Sequence, residues 1–148
     1  MWQRVFATRP TEPTPADLLA HLHAAGFATT ARFTGDDDGW FRAELVHEAT
    51  GQAYELQRYL ATEPGIRDEL NAWAAWVELC DTPFQSALMQ HLVTTQQVYT
   101  LKAVGDTPDL AFSETLLRWL AGCTAGVWQR DGAGFLRDDG TRMLAEEG

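Results

Sequence analysis

Three consecutive aspartates, Asp36, Asp37 and Asp38, open the stretch DDDGWFRAELVHE, with Glu44, His47 and Glu48 close behind. Carboxylates and an imidazole are the groups of hard-metal and general-base chemistry, so the choice lies between a metal site and the tip and stem of a β-hairpin. The spacing favours the hairpin. Calcium loops set oxygen ligands at alternate positions ahead of a Gly and a distal Glu. Here the aspartates are contiguous, so their carboxylates diverge, and Gly35 and Gly39 bracket them as a turn requires. Beyond the turn, alternation sends Phe41, Ala43, Leu45 and His47 to one face and Arg42, Glu44 and Glu48 to the other. The ring nitrogen and the carboxylates are therefore expected on opposite sides, and no metal ligand is assigned. A metal-dependent hydrolase using Asp36–Asp38 with His47 or Glu44 stands as the alternative.

The remaining reactive residue types fall into apolar patterns. His21 and His23 are two apart, whereas two helical zinc ligands need a spacing of four. His91 lies within an apolar helical stripe and reads as a core histidine. Cys80 and Cys123 each fall in phase with an apolar helix face, where a thiolate is disfavoured and a reduced core thiol is expected. No Gly-x-Ser-x-Gly elbow, Walker loop or dinucleotide fingerprint occurs, and GAGFLRDDG lacks the Lys and following helix of a phosphate cradle. No catalytic residue and no cofactor are assigned.

Charge bounds the partner. The chain has 148 residues and a formal net charge of −10, from 21 acidic against 11 basic residues, of which Lys102 is the one lysine. No basic run exists to hold a phosphate backbone, so nucleic acid is disfavoured and a basic protein partner is allowed. The start, MWQRVFATRP, has no apolar secretory core, and no apolar run approaches the ~18 residues of a spanning helix. A cytoplasmic protein that does not enter a membrane is expected. Six tryptophans leave candidates for binding anchors: Trp73, Trp119 and Trp128 have core explanations, whereas Trp40 falls on the polar face beside the Asp turn and Trp76 flanks its helix stripe.

The elements that would carry these residues follow from periodicity. Residues 2–7 read as a strand. A helix follows with Thr14 as N-cap, Pro15 in its first position and Leu18, Leu22 and Ala25 as its buried stripe, ending at Gly26. Residues 27–33, 40–48 and 53–60 alternate as strands, and the turn ATGQ sets His47 opposite Tyr54, Leu45 opposite Leu56 and Phe41 opposite Leu60. Ile66, Leu70, Trp73, Val77 and Cys80 predict a helix over 63–80 capped by Thr62. Another helix starts after Asp81–Pro83, residues 97–104 form a strand, and a last helix from about Ser113 precedes a hairpin in AGVWQRDGAGFLRDDG. LLAHL with DDGWFR parallels LLRWL with GAGFLR about a hundred residues on, the mark an internal duplication would leave.

The predicted order is β-α-β-β-β-α-α-β-α-β-β, one α+β domain over 1–148 with a mostly antiparallel sheet covered on one side by helices. In that order, in acidity and size, and in the closing AGVWQRDGAGFLRDDG after the final helix, the chain resembles small cytoplasmic bacterial proteins of the immunity type, which neutralise toxins. The resemblance implies a non-catalytic protein that blocks a cognate, often basic, toxin through an acidic surface. Such proteins share no fixed site motif, so no binding residue is carried over. The expected function is an acidic protein-binding module whose contacts include Asp36, Asp37, Asp38, Trp40 and Trp76, with a small-ligand-binding domain as a further alternative.

Overall fold

A computed structural model describes residues 2–105 and 109–145. The elements run β1 (Trp2–Ala7), α1 (Pro15–Ala24), β2 (Thr29–Asp36), β3 (Gly39–His47), β4 (Gln52–Leu60), α2 (Ile66–Glu78), α3 (Gln85–Val93), β5 (Gln97–Val104), α4 (Leu110–Thr124), β6 (Gly126–Arg130), β7 (Gly134–Leu136) and β8 (Arg142–Leu144). This is the expected α+β order with one strand added, β8. All eight strands join one antiparallel sheet in the order β2-β3-β4-β5-β1-β6-β7-β8. β1 lies near the middle, between β5 and β6, and the two chain segments on either side of α2 and α3 each follow a strand-helix-strand-strand-strand order. The sheet positions of the two segments differ, because β4 ends beside β5 while β8 ends at an edge.

Local signals set the helix ends. Thr14 Oγ1 accepts from Asp17 N–H at 3.1 Å and Pro15 occupies the first turn of α1, as the sequence predicts. Thr62 is not the cap of α2: the helix begins at Ile66 behind Gly65, which is left-handed and makes no side-chain cap. α4 begins three residues before Ser113, because Asp109 Oδ1 accepts from Ala111 and Phe112 N–H. Its C-cap is Ala125 at φ 49, and the helix runs through Gly122. Gly126 serves a different need: a Cβ there would stand 3.0 Å from both Phe6 O and Val5 Cγ1, so its small size lets β6 close against β1.

Helices cover both faces of the sheet rather than one. On the first face Val5, Ala43, Leu45, Leu56, Leu101 and Trp128 pack with Leu18 and Leu22 of α1 and Phe112, Leu116 and Leu120 of α4. On the second, Phe6, Val98, Val127 and Phe135 pack with Leu70 and Val77 of α2 and Leu88 and Leu92 of α3. The reason is in the central strands. Val5–Phe6, Val98–Tyr99 and Val127–Trp128 are adjacent apolar pairs, and neighbouring strand residues point to opposite faces, so each pair requires two cores.

The outer strands differ from expectation in register and phase. β3 pairs with β4 as Leu45↔Tyr54 and Ala43↔Leu56, two residues from the predicted pairing, since the connection is Glu48–Gly51. An even slip preserves which face each side chain occupies, so Leu45, Tyr54 and Leu56 stay buried despite it. In β2–β3 the pairing passes from Thr34↔Arg42 to Gly35↔Trp40 and leaves Phe41 without a partner on β2. This is a β-bulge, and it inverts the alternation beyond it. Trp40 is therefore 4% exposed and Phe41 43%, the reverse of the predicted phase.

Candidate functional site

The second face is covered only in part. α2 and α3 sit over the row Val98, Phe6 and Val127, while the same face of β2, β3, β4 and the far half of β5 carries no helix. Register aligns the open area in rows. One runs Thr34, Arg42, Gln57, Thr100, Arg4 and Gln129 from β2 to β6; the next runs Arg32, Glu44, Glu55, Lys102 and Trp2. Polar residues at these inward-pleated positions explain why no helix packs there: each would have to be stripped of water.

Three adjoining hollows mark a groove along this half-face and the near side of α2. The first, about 350 Å³, lies at the hairpin tip, among Asp36, Asp38, Phe41, Arg42, Arg58 and Tyr59. The second, about 290 Å³, includes Tyr59, Trp2, Arg4, Thr100 and Glu69. The third, about 350 Å³, is formed by Glu69, Ala72, Trp73 and Trp76. Tyr59 is shared by the first two and Glu69 by the last two. Trp2, Phe41 and Trp76 are exposed along its length. Trp73 meets Trp76 edge-on at 5.9 Å, with the Arg4 guanidinium 5.4 Å from the Trp73 ring, and Lys102 Nζ stands 5.3 Å from the ring of Trp2.

Most cations here are already neutralised. Arg32 pairs with Glu44 at 3.0 Å, Arg42 with Glu44 at 3.3 Å and Glu55 at 3.7 Å, and Arg4 with Asp131 at 3.0 Å. Among the described residues Asp36, Asp37, Asp38, Glu63 and Glu69 enter no ion pair, so the free charge at the groove margin is negative. Burial, and after it the carboxylates of Glu63, Glu55 and Glu69, hold the Tyr59 hydroxyl above its usual pKa, which reflects that field. Two buried polar atoms of the Arg42–Thr100 row, Arg42 Nε and Thr100 Oγ1, lack hydrogen-bond partners among the described residues.

The residues expected to bind a partner separate accordingly. Asp36 and Asp38 line the first hollow and Asp37 is exposed at the turn, where Asp36 Oδ1 accepts from Asp38 N–H at 2.9 Å. Trp76 lines the third hollow. Trp40 is a correction: the bulge turns it to the other face, where its indole N–H donates to Pro13 O at 2.7 Å and its ring packs on Phe33 and Tyr99. The groove residues that periodicity did not single out are Trp2, Arg4, Phe41, Arg42, Arg58, Tyr59 and Glu69. A signal for Trp2 and Arg4 was present, since both alternate against Val5 in the first strand.

His47 stands apart from this surface. It is buried on the first face, its ring beside Phe27 and Phe112, and Glu44 lies on the opposite face as alternation requires. Its expected neighbour Tyr54 bonds elsewhere: the Tyr54 hydroxyl accepts from Asp109 N–H at 3.0 Å. His47 Nδ1 instead meets Thr50 Oγ1 at 3.3 Å and Asp109 Oδ2 at 3.8 Å. Among the described residues no three His, Cys, Asp or Glu side chains are placed to hold a metal ion. His91 Nε2 meets Phe6 O at 2.7 Å, and burial lowers its pKa against that bond. No described helix is long and apolar enough to cross a membrane. Compared with known proteins, the chain matches no family model, no curated protein and no solved structure.

Proposed function

We propose that the chain is a non-catalytic, cytoplasmic protein-binding module of the toxin-neutralising kind, which seats a basic partner in the groove on the open half-face. The observation that carries this reading is the combination of exposed aromatic anchors with an unpaired acidic margin. Trp2, Phe41 and Trp76 offer large apolar area at low side-chain entropy cost. Asp36, Asp37, Asp38, Glu63 and Glu69 offer uncompensated negative charge around it, the arrangement that speeds encounter with a positive surface and rejects a negative one. A nucleic acid would meet repulsion at the same margin.

The test is a peptide-display selection on the wild-type protein. Enriched peptides should be rich in Lys and Arg, their binding should weaken as salt rises, and Trp76→Ala or Tyr59→Ala should lower affinity by about tenfold or more. Changing Asp36, Asp37 and Asp38 together to Asn should slow association most. Enrichment of uncharged or acidic peptides, or binding indifferent to Trp76→Ala and Tyr59→Ala, removes the reading.

A further inference from the structure

The β3–β4 ladder stops at Arg42↔Gln57, although β4 runs on to Leu60 against β5. Past that pair the bulge has carried the hairpin tip away from β4, and the 350 Å³ hollow fills the opening. Arg58 bridges it. Its Nη1 donates to Asp38 O at 3.2 Å and Trp40 O at 3.0 Å, and its Nε donates to Gln97 Oε1 at 2.7 Å. The Arg58 side chain thus satisfies carbonyls that a continuous ladder would have paired with backbone N–H groups.

Every acceptor Arg58 has is neutral. The residue is 6% exposed, yet among the described residues no carboxylate lies within ion-pair distance of it, in a chain with a net charge of −10. The nearby carboxylate of Glu12 is engaged by Trp40 N–H at 3.0 Å. The Tyr99 hydroxyl is a further neutral partner of the Arg58 side chain, and Arg42, lining the same hollow, holds its Nε 3.7 Å from Glu55 Oε1, beyond hydrogen-bond reach. A buried guanidinium without a counter-charge is costly, and a carboxylate is the group whose geometry it fits. Around this cationic floor the rim is anionic, with Asp36, Asp38 and Glu63.

We propose that this hollow is a chain-end subsite: it takes the terminal carboxylate of a partner polypeptide on Arg58 and Arg42, with the basic side chain of that last residue directed to Asp36, Asp38 and Glu63. The inference rests on the protein-binding reading above and names which part of a basic partner enters the tip of the groove. The volume suits a single residue, being near the lower end of the range for small-ligand sites.

Calorimetric titration with acetyl-Gly-Gly-Arg bearing a free C-terminus, the same peptide as its C-terminal amide, and free arginine tests it. The free acid should bind at least about tenfold more tightly than the amide, since hydrogen bonds to charged groups are the ones lost. Arg42→Gln should abolish that preference while leaving the thermal midpoint near wild type. Arg58→Gln should abolish it too, with its fold checked by circular dichroism. Equal binding of acid and amide overturns the proposal, as does an acid preference that survives Arg42→Gln. Free arginine binding as tightly as the peptide acid overturns the chain-end assignment in favour of a free amino acid. If displayed basic peptides still bind and still depend on Trp76 when the acid preference is absent, this subsite fails and the groove reading stands.

Discussion

The bulge at Phe41 makes opposed predictions for two adjacent aromatic residues. Trp40 is 4% exposed, packs on Phe33 at 5.4 Å and Tyr99 at 5.8 Å between centroids, and gives its indole N–H to Pro13 O. Trp40→Ala removes the largest kind of side chain from a closed site and should cost about 3–5 kcal/mol. With a urea m-value of about 2 kcal/mol/M, the midpoint should fall on the order of 2 M. Trp40→Phe keeps most of the ring but orphans the Pro13 carbonyl, which should cost about 1–3 kcal/mol. Phe41, 43% exposed and without a β2 partner, should tolerate Ala at under about 1 kcal/mol. The assay is equilibrium urea unfolding followed by far-ultraviolet circular dichroism, which reports the whole fold rather than the indole removed. If Phe41→Ala proves as costly as Trp40→Ala, unbroken alternation holds and the bulge, with the groove built on it, is wrong.

Other consequences are open to measurement. Burial works to raise the Asp131 pKa but is outweighed by hydrogen bonds from Gln129, Trp2 N–H and Arg4 and by the Arg4 charge, so the carboxyl is held below its usual range. A depressed folded-state pKa stabilises above the unfolded value near 3.8 and is lost as pH falls through the folded one. Asp131→Asn should therefore flatten stability below about pH 4 in acid titrations followed by fluorescence; an unchanged slope would falsify the linkage. Gly39 sits at φ +104, and a Cβ at this position would run into the Glu12 carboxylate. Gly39→Ala should cost about 1–3 kcal/mol for the backbone alone. Because Glu12 can swing away, most of that loss should persist in a Glu12→Ala background, and full rescue there would refute backbone strain as its source.

Much of the architecture was legible because it rests on local periodicity. Leu18 and Leu22, or Ile66, Leu70 and Val77, mark helices whatever lies around them, and Thr14 with Pro15 fixed a helix start. What escaped depended on partners distant in the chain. Phe41 loses its phase through Gly35 on another strand, and β8 is three residues long, too short to show a period. The two-sided core was written in the adjacent pairs Val5–Phe6 and Val127–Trp128, but alternation alone does not reveal it when neither residue is polar. The groove was the least legible part, since Trp2, Tyr59 and Trp76 come from three elements that only the finished sheet brings together.

The place of β1 in the sheet bears on how the protein is made. Its neighbours β5 and β6 begin at Gln97 and Gly126, so Arg4 reaches Gln129 over a sequence separation of 125. A ribosome must have released the chain through Arg130 before the first strand can pair along its length on both sides. Until then Val5 and Phe6, among the most thoroughly sequestered residues of the mature protein, stay open to water and to neighbouring chains. Non-local closure of this kind slows folding and leaves nascent molecules prone to clump, and a holding chaperone on the first strand would shield it until β6 is made.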